Sequence, residues 1–249
     1  MGAEVQSASV SPRFLAAGDT ALVVEFGDVV DPAVNHRVTR LAAAAREAAI
    51  DGIVDLVPTF RSLMVHYDPL VTSAQALQAA LRDVLSHPPG DMSRGRLWRL
   101  PTLYGGAVGP DLDEVAERTG LSPDRVIALH SETTYDVYMM GFLPGLPYLG
   151  ILAKELELPR RAEPRVRVPA GSVAIATNLT NVYPSESPGG WHILGRTPIE
   201  LFDLRRAVPI LLAAGDRIRF EPVGQAAYDE LWTRVAAGET GVEPEVAVS

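Results

Sequence analysis

The sequence predicts an α+β protein in two parts: a ferredoxin-like split β-α-β unit, then a strand-rich barrel or sandwich. Three observations carry this prediction. Up to about residue 105, apolar residues repeat with strand and helix periods in the order β-α-β-β-α-β. From about 134 to 222 the chain turns to short apolar runs broken by Gly and Pro. The 249 residues suffice for one large domain or two small ones, and for a core that needs no covalent staple.

Residues 20–26, TALVVEF, form the first predicted strand. Asp31-Pro32 then starts a helix, with Asp as N-cap and Pro in the first turn. Val34, Val38, Leu41 and Ala45 make its apolar stripe, and Gly52 marks its end. IVDLV (53–57) and SLMVHYDP (62–69) read as strands, the second by its strict alternation. A second helix begins near Ser73 and turns Leu77, Leu81, Val84 and Leu85 inward. GRLWRLPTLYG (95–105) is predicted to be the strand that closes the ferredoxin-like order, after the linker HPPGDMSRG (87–95). Two short helices follow, at 111–119, ended by Gly120, and at 123–130, started by Ser122-Pro123. The runs YDVYMMG, RVRVP, SVAIAT, WHILGRTPIELFD and DRIRFEPV supply the strands of the second half. A helix over 224–236 and a disordered tail GETGVEPEVAVS end the chain. The expected limits are 1–95 for the N-terminal domain, 96–223 for the barrel domain and 224–249 for the C-terminal helix and tail.

Composition narrows the chemistry. With no cysteine there is no disulfide, thiolate metal site or thiol nucleophile. A net charge of −9 is a poor match to a phosphate backbone, which needs a basic face. Lys154 is the only lysine, so any P-loop, Schiff base or Ser-Lys dyad would have to use it. No run of 18 apolar residues is present, the first ten residues lack the blocks of a secretory signal, and Gln6 stands where myristoylation needs Ser or Thr. A cytoplasmic location is expected.

Standard catalytic signatures are missing: no G-x-S-x-G elbow and no Walker glycine-lysine loop. The five histidines, His36, His66, His87, His130 and His192, show no metal-ligand spacing. Three stretches stand out instead. GFLPGLPYLG (141–150) is too apolar for a solvated loop, and its Gly and Pro argue against a helix or a central strand, so it is expected to be a buried loop or to line a groove. PRRAEPRVRVPAGS (159–172) places Arg165 and Arg167 on one face of a strand and Val166 and Val168 on the other. Paired guanidinium forks suit a carboxylate or phosphate, although a solvated outer face is the more ordinary reading of either arginine. YPSESPGGWHILGRTP (183–198) offers Ser185 or Ser187 with His192 as a serine–base pair. The same stretch reads better as a loop in which Gly189-Gly190 permits close approach of a ligand or a second chain.

YMMGFLPGLPYLG, PRVRVPAGSVAIA, YPSESPGGWHILGRTP and GDRIRF, in that order, resemble the family of the 5-oxoprolinase B subunit, also called allophanate hydrolase subunit 1, which includes the inhibitor of the sporulation histidine kinase. The resemblance spans roughly 100–220 and implies a cyclophilin-like β-barrel behind a small α/β domain. It also implies partners, namely a homologous cyclophilin-like C subunit (allophanate hydrolase subunit 2) and a lactam-utilisation protein, the A subunit. The activity it implies is the ATP-dependent opening of 5-oxoproline to glutamate. Two departures stand out. The family's G-x-Q-T-G-x-Y-P run reads here Thr177-Asn178-Leu179-Thr180-Asn181-Val182-Tyr183-Pro184, and its Gly-Gly-Glu turn reads Gly105-Gly106-Ala107. Asn178 is a candidate replacement for the lost polar group.

The expectation is therefore a non-autonomous subunit of an ATP-dependent amide or lactam hydrolase. Arg165, Arg167 and Glu186 are the candidate catalytic residues, with Glu186 as acid/base or Mg²⁺ ligand. Phe142, Tyr148, Tyr183, Gly189, Gly190 and Arg196 are the candidate substrate-binding residues. ATP is expected to be held together with the partner subunits. Two other readings remain: a binding module that inhibits a sensor histidine kinase without catalysis, and, by fold analogy alone, a prolyl isomerase.

Overall fold

The computed structural model describes residues 11–87 and 95–245. The chain divides into two compact units, Met1–Met92 and Ser93–Ser249. Most of the linker, the first ten residues and the last four lie outside the described residues, and with them the readings made on those segments.

In the first unit, strands β1 (Arg13–Ala16), β2 (Ala21–Glu25), β3 (Ile53–Pro58) and β4 (Ser62–Tyr67) form one sheet in the order β1-β2-β4-β3. Helices α1 (Pro32–Glu47) and α2 (Ala74–Ser86) supply its other layer. Asp31 caps α1 by accepting from the amides of Ala33 (2.8 Å) and Val34 (3.3 Å). Ser73 caps α2 through Ala76 N at 3.2 Å. Val38, Leu41 and Ala45 of α1 and Leu77 and Leu81 of α2 meet Val24, Leu63 and Val65 of the sheet in one core.

The ferredoxin-like assignment needs correction at one strand. Residues 97–104 do not join this sheet; the edge beside β2 is taken by β1, a strand the sequence pattern does not announce. The physical reason is local. β1 reaches β2 through a tight turn at Gly18, φ +67°, so its loop closes at little entropic cost. Residues 97–104 have a better ladder elsewhere: residues 97–102 run parallel to six residues of the last strand of the second unit.

That second unit is a closed barrel of seven strands. They are β5 (Leu97–Tyr104), β6 (Thr134–Met140), β7 (Pro147–Gly150), β9 (Ser172–Ala176), β10 (Leu179–Val182), β12 (His192–Arg196) and β13 (Arg217–Pro222), in the order β10-β7-β6-β13-β5-β12-β9, with β10 pairing β9 to close the ring. Closure removes the free edges of the sheet. A separate two-stranded ribbon joins β8 (Arg165–Val168) to β11 (Ser187–Gly189). Helices α3 (Leu112–Thr119), α4 (Pro123–Glu132) and α5 (Gln225–Ala236) complete the unit. Leu112 and Val115 of α3, Val126 of α4 and Val235 of α5 are buried with Trp98, Leu100, Tyr135, Val173, Ile175 and Phe220 in the barrel core.

Three further expectations change. The stretch 141–150 contains a barrel strand after all: Pro147 stands at the first position of β7, where its missing N–H costs no ladder bond. On β8, Val168 is fully buried but Val166 is 83% exposed, so the two valines do not share a packed face; half of the ribbon stands in solvent. The tail is ordered through Glu245, whose backbone exchanges two hydrogen bonds with Leu97 (2.8 and 3.0 Å).

Candidate functional site

Alternation along the barrel strands splits their side chains between the interior and the outer surface. Leu149, Val173, Ile175, Val182 and Leu194 face the interior core. Ala174, Ala176 and Ile193 belong instead to a second, outer cluster with Leu146, Val168, Tyr183 and Trp191, against which Leu143, Tyr148 and Leu179 pack. The strand registers order the floor of this cluster. Asn181 of β10 lies opposite both Tyr148 of β7 and Ala174 of β9, and Ile193 of β12 lies opposite Ala174. The result is a row Tyr148–Asn181–Ala174–Ile193, with the aromatic rings of Tyr183 and Trp191 folded beside it.

The polar groups here are specific. Tyr183 is 2% exposed, and burial pushes its hydroxyl pKa up, while a hydrogen bond from Asn181 and the nearby charge of Arg160 pull it back. Asn181 is also 2% exposed, and its Oδ1 has no hydrogen-bond partner among the described residues. Tyr148 meets Trp191 edge-on, with centroids 6.4 Å apart. Arg160 lies over the Trp191 ring at 5.9 Å. Gly189 is required by the packing: a Cβ there would stand 2.3 Å from Tyr183 Oη. Gly190 accepts the Arg161 amide on its carbonyl at 2.8 Å.

A second centre surrounds Asp111, also 2% exposed, at the start of α3. Its carboxylate accepts Arg165 Nη1 and Nη2 at 2.8 and 2.6 Å, Arg161 Nη1 at 3.0 Å and the Ile193 amide at 2.7 Å. Arg161 also reaches Glu114 at 3.0 Å. Two guanidinium groups balance two carboxylates, and every strong bond stays inside the chain. Arg165 is thus held in a structural ion cluster rather than presented to solvent.

The remaining candidates are spread. Arg167 and Glu186 form a two-pronged pair at 2.9 and 2.8 Å across the β8–β11 ribbon, exposed on both sides. Arg196 donates from Nε to the Ala170 carbonyl at 2.7 Å and stacks 4.8 Å over Trp232 of α5. Phe142 has φ +69° and is 69% exposed, next to Leu143, which packs on the outer cluster. His192 Nε2 donates to the Pro159 carbonyl at 3.0 Å, and Ser187 Oγ bonds the Pro188 carbonyl at 3.3 Å, so no serine–histidine pair forms here among the described residues. Asn178 accepts the Leu152 amide on its backbone carbonyl. No three His, Asp or Glu side chains gather as a metal site among the described residues. No helix among them is long and apolar enough to cross a membrane.

The fold therefore brings Tyr148, Tyr183 and Gly189 together, pairs Arg167 with Glu186, and places Arg165 and Arg196 in separate contacts. Sequence reasoning passed over Arg160 and Asn181. The available signal was alternation: Asn181 stands two residues before Tyr183, on the same face of a strand.

The family model of the carboxyltransferase domain, subdomain C and D, matches residues 12–212. The chain is 39% identical over 222 residues to the B subunit of 5-oxoprolinase from Bacillus subtilis (strain 168), covering 85% of this chain and 92% of that protein. It is 42% identical over 209 residues to the B subunit of 5-oxoprolinase from Escherichia coli O157:H7, covering 82% and 93%. Among solved structures, the crystal structure of TTHA0988 in space group P212121 matches with a TM-score of 0.74 at 39% identity, over 82% of this chain. This chain spans only 40% of the length of that one.

Proposed function

The chain belongs to the family of the carboxyltransferase domain, subdomain C and D, and of the 5-oxoprolinase B subunits, and from that premise we propose that it is a non-autonomous component of an ATP-dependent hydrolase that opens a cyclic amide, 5-oxoproline, to glutamate. The observation that carries the proposal is the likeness to 5-oxoprolinase B subunits at 39–42% identity over most of both chains. A protein named as one subunit works with others. The partners proposed here are a cyclophilin-like C subunit, homologous to this chain, and a lactam-utilisation protein as the A subunit.

ATP would supply activation of the amide carbonyl, so that water can open the ring. No glycine-lysine phosphate loop is present in this chain. Its single lysine, Lys154, is exposed on a 3₁₀ turn, and Arg161, Arg165 and Arg167 are already in ion pairs. The nucleotide is proposed to be held together with the partner chains. What this chain is proposed to contribute is the outer-face aromatic cluster: Tyr148 and Tyr183, Gly189 packed close against Tyr183, and Phe142 nearby in sequence, its exposed ring available to the ligand or to a partner. Arg167 and Glu186, exposed on the ribbon, are the proposed groups for charge that develops once the partner closes over them.

The test is 5-oxoproline-dependent ATP hydrolysis by the chain alone and mixed with its two partner subunits. Activity is expected only in the mixture. In the mixture Arg167→Ala should lower turnover by roughly 10²-fold. Turnover by the isolated chain overturns the reading of a non-autonomous component, and an unchanged rate in Arg167→Ala removes that residue from the reaction.

A further inference from the structure

Phe142 combines two destabilising features. Its backbone lies in the left-handed region at φ +69°, where a bulky side chain is strained, and its ring is 69% exposed. The ring belongs to none of the three packed clusters. The turn beneath it is nevertheless fixed. Gly141 N donates to the Leu146 carbonyl and Leu146 N to the Leu143 carbonyl, both at 3.1 Å, and Leu143 and Leu146 are rooted in the outer cluster. The ring is thus held outward on a short braced turn. Gly145 of that turn lies against the base of a second projection, residues 201–211. A Cβ on Gly145 would stand 3.0 Å from Phe202 Cβ and 3.1 Å from the Leu201 carbonyl oxygen. The second projection is a hairpin, tied by Leu211 N to the Leu201 carbonyl at 3.0 Å and by Asp203 N to the Pro209 carbonyl at 2.9 Å. Its tip presents Leu204 at 79% and Val208 at 72% exposure. The charges of the hairpin satisfy one another. Arg205 bonds Asp203 and Glu200, both at 2.9 Å, and Arg206 donates to the Glu200 carbonyl at 2.7 Å. Two acids and two bases leave no net charge, so the two tips offer a partner a neutral, apolar surface.

We propose that Phe142, Leu204 and Val208 form the surface on which the cyclophilin-like C subunit docks, with the Phe142 ring as its rigid anchor. This rests on the reading of the chain as one component of a complex. Three side chains so exposed amount to roughly 400 Å² of apolar surface, the size of patch that marks a binding site on a single chain. That is about half of the ~800 Å² that one partner gives to a standard interface, so the tips are the centre of the contact and not the whole of it. Charge selects the occupant. A net charge of −9 on each chain opposes pairing with a second copy, whereas the neutral tips set no like charge against a different chain. Of the two proposed partners the C subunit is the homologous one, and homologous barrels can meet about a pseudo-twofold axis, like patch to like patch. A ring already fixed in its bound position loses little freedom on docking, which gives the strained, exposed aromatic a use.

The experiment titrates the purified C subunit into the full chain by calorimetry, without ATP or 5-oxoproline. Phe142→Ala is expected to weaken binding by roughly 10- to 100-fold, and Leu204→Glu combined with Val208→Glu by at least as much. Val54→Glu, at a site 71% exposed in the first unit, should leave the affinity unchanged. An equal loss there would assign the effect to added charge and overturn the proposal. Phe142→Gly separates docking from folding. Glycine accepts the left-handed backbone, so this variant should weaken binding while its free chain melts no lower than the wild type. Lost binding together with a lower melting temperature in both Phe142→Ala and Phe142→Gly makes the ring a structural element and overturns the proposal. Unchanged affinity in Phe142→Ala overturns it too, as does a wild-type chain that does not bind the C subunit. Sedimentation of the chain alone checks the other occupant: a dimer that Phe142→Ala dissociates puts a second copy on this surface and displaces the C subunit from it. If the C subunit binds through Phe142 but the three-component mixture does not open 5-oxoproline, the functional reading fails and the docking surface stands.

Discussion

His130 is completely buried between α4 and the barrel strands, and its neighbours settle its protonation. Thr180 Oγ1 spends its proton on the Ala174 carbonyl at 3.1 Å, so at 2.9 Å it accepts from His130 Nε2. Nδ1 is then the acceptor, and Tyr104 donates to it at 2.7 Å. The ring stacks 4.5 Å from Phe220. Burial drives its pKa down to about 3. The sign of the linkage follows. The unfolded chain takes up a proton near pH 6.5 and the folded chain does not, so the stability is fully present above that pH and is lost as pH falls toward 3. The effect amounts to roughly 5 kcal/mol. His130→Gln, which keeps a donor and an acceptor but does not titrate there, should flatten the urea midpoint between about pH 6.5 and 4. An unchanged acid limb would place the sensitivity elsewhere. Asp111 shows a related limit of the linear chain. In the sequence it is a residue at a helix start, and only the fold shows that it gathers two arginines and a strand amide from residues 161, 165 and 193. Arg165 was legible as a carboxylate-binding fork; that the carboxylate would be the protein's own was not.

At the scale of elements, the helices follow from short-range rules. Asp31-Pro32 and Ser122-Pro123 cap and start α1 and α4 as their chemistry requires. Gly120, in the left-handed region at φ +70°, ends α3. Strands depend on distant partners, and there the pattern reading falters. β7, β10 and β11 are three or four residues long, too short for alternation to register; β7 and β10 exist because the ring closes through them, and β11 because β8 lies alongside. The C-terminal segment behaves likewise. Val235 and Tyr228 of α5 are buried, Trp232 supports Arg196, and Glu245 pairs with the first residue of β5. Deleting residues 225–249 should therefore destabilise the barrel unit by on the order of 4 kcal/mol, from the two buried side chains alone. Thermal unfolding followed by near-UV circular dichroism measures it. A melting temperature equal to that of the full chain would show that this segment is peripheral.

At the scale of the whole molecule, each unit has its own core, and the first needs nothing from residue 97 onward to complete its sheet. A fragment ending at Met92 is expected to unfold cooperatively in urea, with dispersed amide resonances. A fragment that gains order only when extended through residue 104 would return β5 to the first unit and restore the ferredoxin-like order. The resemblance read from residues 100–220 concerns the second unit, and there the family assignment, the β-rich character and the aromatic stretch around Tyr183 were all visible in the linear chain.

Local chemistry by itself determined the helices and their caps, the apolar stripes, the strand-rich second half and the family. These depend on residues within a few positions of one another. The tertiary structure alone decided three things: that 97–104 joins the barrel, that Arg165 and Arg167 are committed to Asp111 and Glu186, and that Tyr148, Asn181 and Tyr183 share one outer face with Arg160 above it. Each turns on which distant strand lies alongside, and ring closure, not local preference, sets that register.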